Sequence, residues 1–367
     1  MTSAVIQLED IIARAARQVI LHVPDFVVST GETIALIGPN GAGKSTLLHL
    51  AALLRAPDAG VVKVGETIAT PKNAAALRRS ISLVFQEPIL FDASVMTNAA
   101  SGLRFQGATR AEAERRAALW LERFGVQMLA DRKARSLSGG EASRVALARA
   151  FSTDPAVLLL DEPFSALDAP TRFSLLPSLR ACLHDTNAAA VLVTHDLNEA
   201  FAFADRVAVM EMGRIAAFGD AQELIARPPT RRVAELLGIE TILQARIAGI
   251  DGSEARLETD GATGPSLRVK IPPGASLLVG DFVTVTIPAG ATRAFRPGSD
   301  VPNGANALPG RIAGVIARPS GAQLVVETPA PIEALAAWDS REPRWAIGDC
   351  AIVSFLPETA HILPESS

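Results

Sequence analysis

Up to about Gly238 the chain alternates short apolar runs with segments of helical period. Thr33-Ile-Ala-Leu-Ile37, Ser80-Ile-Ser-Leu-Val84, Ala156-Val-Leu-Leu-Leu160 and Ala190-Val-Leu-Val193 are nearly continuous apolar runs that stop at glycine or polar residues. Strands of a parallel sheet covered by helices on both faces read this way. Between the second and third runs lies a helix-rich insert, about residues 88–155. There Thr109-Arg-Ala-Glu112 has capping-box spacing, and Ala113, Ala117, Trp120, Leu121 and Phe124 fall on one helical face before Gly125. That stripe predicts the packing face of a helical subdomain.

After Arg227-Pro-Pro-Thr230 and a short helix, the texture changes. From about Glu240 the chain is rich in Gly, Pro and alternating β-branched residues, which predicts short strands in small barrels. Arg246-Ile-Ala-Gly-Ile250 recurs as Arg311-Ile-Ala-Gly-Val315. Likewise Gly280-Asp-Phe-Val-Thr-Val285 with Pro288 recurs as Gly348-Asp-Cys-Ala-Ile-Val353 with Pro357. Two domains are therefore expected: residues 1–238, α/β, and residues 240–367, two copies of one small β unit.

The balance of 35 Lys and Arg against 39 Asp and Glu leaves no basic surplus to neutralise a nucleic-acid backbone, so a nucleic-acid partner is not expected. Cys182 and Cys350 lack CxxC spacing, which argues against structural zinc or a disulfide framework. Met1-Thr-Ser-Ala-Val-Ile-Gln-Leu-Glu-Asp10 has no basic start followed by an apolar run, and the apolar runs are too short to span a bilayer as helices. The expectation is a soluble chain in the cytoplasm.

Gly38, Gly43, Lys44 and Ser45 fit the GxxxxGK[ST] spacing between a strand and the helical run Thr46-Leu-Leu-His-Leu50. Glycines let backbone N–H groups turn inward around phosphates, Lys44 supplies charge to the β/γ-phosphates, and Ser45 offers a hydroxyl to Mg²⁺. Asp161, at the tip of an apolar strand, can hold the same ion, and Glu162 can activate or orient a water in line with the γ-phosphate. Gln86 can ligate Mg²⁺ weakly and swing away, while His195, at a strand's carboxyl end, can donate to a γ-phosphate. Leu137-Ser-Gly-Gly-Glu141 opens a helix expected to begin near Glu141, an anion site of hydroxyl, flexible glycines and helix N-terminus.

The ordered set Gly38–Thr46, Gln86, Leu137–Glu141, Val157-Leu-Leu-Leu-Asp-Glu-Pro163, Ser165-Ala-Leu-Asp168 and His195 resembles the motifs of ABC-type ATPases: phosphate loop, Q-loop, signature, magnesium strand, D-loop and H-loop. The resemblance implies a P-loop, RecA-like nucleotide-binding domain with a helical subdomain. It implies ATP and Mg²⁺ as cofactors, with Gly38, Pro39, Asn40, Gly41, Ala42, Gly43, Lys44, Ser45, Thr46, Ser138, Gly139, Gly140 and Asp168 at the nucleotide. Ser45, Gln86 and Asp161 are implied at the metal, and Glu162, His195 and Gln86 in catalysis. It also implies a head-to-tail homodimer in which Ser138, Gly139 and Gly140 face the γ-phosphate bound by Lys44 of the partner subunit.

A single cassette with a β tail is similar to the energy subunit of a bacterial importer, peripheral on the cytoplasmic face of the inner membrane. Such a subunit serves separate permease chains, which dock near the Q-loop, and indirectly a periplasmic or extracellular solute-binding protein. The tail resembles oligosaccharide/oligonucleotide-binding-like TOBE or Mop units. Asn306-Ala-Leu-Pro-Gly-Arg-Ile-Ala-Gly-Val315, Ile332-Glu-Ala-Leu-Ala336 and Val353-Ser-Phe-Leu-Pro-Glu-Thr-Ala-His-Ile362 look like the molybdate/tungstate branch, as does Val233–Ile242. Sulfate, sugar, polyamine and ferric-iron importers carry related tails. Two departures stand out. The family usually stacks adenine on an upstream aromatic, but this chain has no Tyr and shows Ile12-Ala-Arg-Ala-Ala-Arg-Gln18 there, leaving Arg14 or Arg17 to stack. In the tail, anion-binding versions place a Lys followed by small hydroxyl residues where this chain has Ser354-Phe-Leu-Pro-Glu-Thr359; Glu358 would repel an oxyanion, which favours dimerisation or regulatory docking over oxyanion binding.

Overall fold

The computed structural model describes residues 3–259, 266–318, 321–328, 331–337 and 344–364, and the chain packs as two units, Met1–Ala221 and Gln222–Ser367. The packing division falls about one short helical pair before the change of sequence texture at residue 240.

The first unit runs β1 (Ala4–Ala15), β2 (Gln18–Ser29), β3 (Thr33–Ile37), α1 (Lys44–Ala51), β4 (Ala59–Val64), β5 (Thr67–Ile68), α2 (Ala74–Leu77) and β6 (Ile81–Val84). Three helices follow, α3 (Val95–Phe105), α4 (Arg110–Arg123) and α5 (Gly139–Ser152). Then come β7 (Val157–Asp161), α6 (Ala169–Thr186), β8 (Ala189–Val193), α7 (Leu197–Phe203), β9 (Arg206–Glu211) and β10 (Arg214–Asp220). The main sheet has the order β10-β9-β3-β8-β7-β6, and every pairing from β9 to β6 is parallel. All five residues of β3 and of β8 are buried, as continuous apolar runs demand. Each fully buried Val, Leu or Ile there contributes about 1.5–3 kcal/mol. Because β3, β6, β7 and β8 are parallel and in register, their following residues emerge at one sheet edge. That edge holds the phosphate loop, Gln86, Asp161–Glu162 and His195.

An antiparallel sheet, β2-β1-β4-β5, flanks this core through Ile6, Leu8, Leu21 and Val23. In the helical subdomain Thr109 caps α4 by accepting from the Glu112 N–H at 3.3 Å. Ala113, Ala117, Leu121 and Phe124 are buried, and Trp120 stacks on Phe151 of α5 with centroids 4.6 Å apart. The expected stripe is thus the packing face.

The second unit contains α8 (Ala221–Ala226), α9 (Arg231–Leu236) and strands β11 (Thr241–Asp251), β12 (Glu254–Thr259), β13 (Leu267–Lys270), β14 (Phe282–Ile287), β15 (Arg293–Phe295), β16 (Asn306–Arg318), β17 (Gly321–Glu327), β18 (Pro331–Ala337), β19 (Cys350–Phe355) and β20 (His361–Ile362). The recurrent Arg-Ile-Ala-Gly segments do the same work twice. Each carries a register shift, between Ile247 and Gly249 in one copy and Ile312 and Gly314 in the other. Ile247 N–H donates to Asp281 O and Ile312 N–H to Asp349 O, at 2.8 and 2.9 Å. The last strands are exchanged: β20 completes the sheet β13-β12-β11-β14-β20, while β15 closes the barrel β15-β18-β17-β16-β19. Neither copy can be cut out without opening an unpaired edge.

Two carboxyl groups meet between the copies. Buried Glu333 accepts from Gln323 Nε2 at 2.7 Å, and its N–H donates to Thr241 Oγ1 at 3.1 Å. Neighbouring Glu240 shares a hydrogen bond with the Glu333 carboxyl; this, then burial and the like charge, pushes Glu240 up to about 7. A raised acid pKa means the folded state holds a proton that the unfolded state releases. The stabilising contribution is therefore present at low pH and fades as pH rises from the ordinary Glu value of 4.5 through about 7. Glu240→Gln, which mimics the protonated acid, is expected to raise Tm at pH 8 and leave it unchanged at pH 4. Equal shifts at both pH values in thermal unfolding would refute the shared proton.

Candidate functional site

The phosphate loop begins where β3 ends. Gly38 has φ +146°, and a side chain there would overlap the carbonyl oxygen of Met210 in β9. Gly43, at φ +99°, caps α1 without any side-chain hydrogen bond, so the first N–H groups of α1 remain available to an anion. A Cβ on Gly43 would stand 3.0 Å from Leu21 Cδ1, and the turn after β9 supports the loop through the Gly213 N–H, which donates to Ala42 O at 3.1 Å. Lys44 is buried, and its Nζ donates to Gly38 O at 2.8 Å and Pro39 O at 3.1 Å. Burial pushes this ammonium below the usual lysine value, opposed by the charges of Glu162 and Asp161.

Ser45 Oγ donates to Asp161 Oδ1 at 3.2 Å. Burial pushes the Asp161 carboxyl up, and the Ser45 hydrogen bond opposes it. Glu162 Oε2 is the hub of the crevice. It accepts from Gln86 Nε2 at 3.3 Å and lies 3.1 Å from His195 Nδ1. The Glu162 backbone is left-handed, φ +44°, a strained conformation for a residue with a Cβ. Its N–H donates to Val193 O at 3.0 Å, which fixes the strained turn against β8. Lys44, Ser45, Gln86, Asp161, Glu162 and His195, far apart in sequence, thus meet at one edge.

Ser138, Gly139, Gly140 and Asp168 have other partners in the chain. The helix α5 starts at Gly139, two residues earlier than expected, because Ser138 caps it in a reciprocal box. Ser138 Oγ accepts from the Glu141 N–H at 3.3 Å and donates to Glu141 Oε2 at 3.0 Å. The Ser138 backbone N–H also donates to Glu141 Oε2, at 2.8 Å, and together these bonds hold the Glu141 carboxyl below the usual range. A Cβ at Gly139 would be 3.2 Å from Ala166 Cβ, and one at Gly140 3.0 Å from Leu167 Cδ2. The glycines therefore let the signature turn sit on the D-loop. Asp168 caps α6, accepting from the Thr171 N–H at 3.3 Å. Arg14 and Arg17 are exposed at the β1–β2 hairpin.

Several residues the sequence reading passed over hold this edge together. Arg172 Nη1 lies 3.0 Å from both Asp196 Oδ2 and Glu199 Oε1, and Nη2 donates to Leu167 O at 3.2 Å. Buried Glu199 accepts from Thr194 Oγ1 at 2.5 Å, and burial pushes its carboxyl up. Asn98, fully buried in α3, pins the segment after Gln86 by bonding both Phe91 O and Phe91 N–H. For Asn98 the available signal was an amide side chain on the inward face of α3.

This is the architecture of a P-loop nucleotide-binding domain. The ABC transporter family profile matches residues 21–165. The chain is 42% identical over 227 residues, 59% of its length, to the molybdenum import ATP-binding protein ModC of Mycobacterium tuberculosis, and that match spans 62% of the relative. It is 34% identical over 357 residues to the spermidine/putrescine import ATP-binding protein PotA of Frankia alni, covering 93% of this chain and 74% of the relative. Among solved structures, the dimeric ATP-binding cassette MJ0796, in a post-hydrolysis state with ADP and Pi, superposes with a TM-score of 0.55 at 27% identity, over 59% of this chain and 98% of that one. The chain belongs to the family of ABC transporter ATP-binding proteins. Its C-terminal region is all-β, as expected.

Proposed function

We propose that this chain is the ATP-hydrolysing subunit of an import complex, acting as a homodimer with ATP sandwiched between subunits. The observation that carries the reading is the meeting of Lys44, Ser45, Gln86, Asp161, Glu162 and His195 at one sheet edge. The loop N–H groups and Lys44 bind the phosphates. Ser45 Oγ, the Asp161 carboxylate and the Gln86 amide oxygen are the hard-oxygen donors that would hold Mg²⁺ here. Bound Mg²⁺ supplies charge neutralisation at the transferring phosphoryl group. Glu162 accepts the proton of the attacking water, and His195 holds Glu162 and the γ-phosphate side of the crevice in place.

Permease docking near the Q-loop fits the exposed Ile89, Phe91 and Phe105. Among the described residues no helix is long and apolar enough to cross a membrane; this reading assigns the membrane span to separate permease chains. Peripheral attachment at the cytoplasmic face and delivery by a solute-binding protein follow from this assignment.

The cargo we favour is molybdate or tungstate, from the tail's resemblance and the molybdenum-import relative. The polyamine relative covers more of the chain and supports the alternative of another solute. Reconstitution with the neighbouring permease decides the matter. Solute-binding protein loaded with molybdate should stimulate ATPase, and spermidine- or sulfate-loaded receptor should not. Stimulation by spermidine alone would replace the cargo assignment. Within the cassette, His195→Ala should bind ATP normally and lose about 10²-fold in turnover; an unchanged rate would remove His195 from the mechanism.

A further inference from the structure

Arg172 is the only charged side chain shown to touch both the D-loop and the H-loop among the described residues. It stands in the first turn of α6, where Asp168 fixes the helix start. Its guanidinium holds the Leu167 carbonyl on one side and the carboxylates of Asp196 and Glu199 on the other. Through those two acids the fork holds the residues that flank His195 in the chain, Thr194 and Asp196. Glu199 Oε2 accepts a hydrogen bond from the Thr194 hydroxyl, and Thr194 Oγ1 in turn accepts from the Asp196 N–H at 3.1 Å. On its far side the D-loop packs under the signature turn, since Ala166 and Leu167 occupy the space that side chains on Gly139 and Gly140 would need. Buried Arg172 Nε has no hydrogen-bond partner, so the fork is committed entirely to this bridge through its two terminal nitrogens.

If ATP is sandwiched as proposed above, the signature turn of one chain meets the nucleotide bound by the partner, whereas His195 serves the chain's own nucleotide. We propose that Arg172 is a positioning residue that couples the two ATP sites: closure on the signature turn shifts Ala166–Leu167, and the Arg172 fork carries that shift to His195. The coupling is a contiguous route of packed and hydrogen-bonded groups, so it can be tested as an energy. The inference rests on the ATPase reading.

The test uses the full-length chain. Arg172→Met and Arg172→Lys are compared with wild type for ATP binding, ATP-dependent dimerisation, and steady-state hydrolysis across ATP concentrations. Expected are a Hill coefficient falling from near 2 to near 1 and a kcat loss of about tenfold for Arg172→Met, with ATP affinity of the monomer unchanged. Arg172→Lys, which keeps the charge but loses the fork, should recover part of the kcat and none of the cooperativity. Thermal unfolding separates a structural effect: lower Tm with wild-type cooperativity would overturn the proposal. So would additive effects of Arg172→Met and Gly139→Ala on cooperativity in a double-mutant cycle. A wild-type chain without ATPase activity would overturn the parent reading, and this inference with it; active wild type with unaltered variants would overturn this inference alone.

Discussion

Glu162→Gln will bind ATP and stop: turnover is expected to fall about 10²–10⁴-fold while an ATP-dependent dimer accumulates. The substitution keeps the shape of the side chain and its place between Gln86 and His195, and removes the negative charge at the hub of the crevice. An amide cannot take the proton of an attacking water. It also no longer repels the γ-phosphate, so the closed, nucleotide-bound form is stabilised. Folding should be little changed, because Gln bears the same left-handed strain at φ +44°. Glycine at this position would relieve that strain and still abolish hydrolysis, which separates conformational from chemical causes. Single-turnover hydrolysis and size-exclusion chromatography with and without MgATP make the measurement. Hydrolysis by Glu162→Gln at near wild-type rate would remove Glu162 from the role of base.

The four apolar runs were legible because strands buried on both faces need no pattern beyond continuous hydrophobicity. Their ends matched β3 fully and β6, β7 and β8 to within a residue or so. Parallel register then placed the phosphate loop, Gln86, Glu162 and His195 at one edge. The β1–β2 hairpin was not legible. Its burial alternates only in part, and Glu9, Asp10 and Arg14 interrupt the apolar period. The signature turn shows how one spacing carries two readings: it was read as a phosphate site, yet the same Ser-x-x-Glu spacing is a capping box, and in the chain Ser138 bonds to Glu141. A side chain that serves a helix end in one state can serve a ligand in another, and sequence spacing does not separate the two. Arg172 and Glu199 were invisible for a different reason. Their meaning lies in a meeting of α6 with α7, and no local pattern encodes that contact. The exchange of β15 and β20 between repeats is of the same kind, since sequence similarity counts the strands without saying which sheet receives them.

Gly38→Ala should cost both nucleotide binding and stability, whereas Lys44→Ala should cost the first alone. At Gly38 the backbone needs φ +146°, and a methyl group would overlap the Met210 carbonyl oxygen, a backbone atom fixed by the pairing of β3 with β9 through Ile37 and Val209. Neither atom is the mobile end of a side chain, so the loop must leave the sheet. The Gly38 carbonyl that anchors Lys44 Nζ moves with it. We expect a loss of about 2–4 kcal/mol in denaturant unfolding and at least a hundredfold weaker MgATP binding. Gly41 supplies the control: its φ is +81°, but an added Cβ meets nothing within 4 Å, so Gly41→Ala should cost only about 1–2 kcal/mol of backbone strain. Lys44→Ala removes an ammonium whose burial already disfavours its charge, so the fold should hold while phosphate affinity collapses. Should Gly38→Ala bind MgATP as tightly as wild type, the loop would have to reach its working shape without contact to β9, and the close approach at Met210 would have no part in building the site.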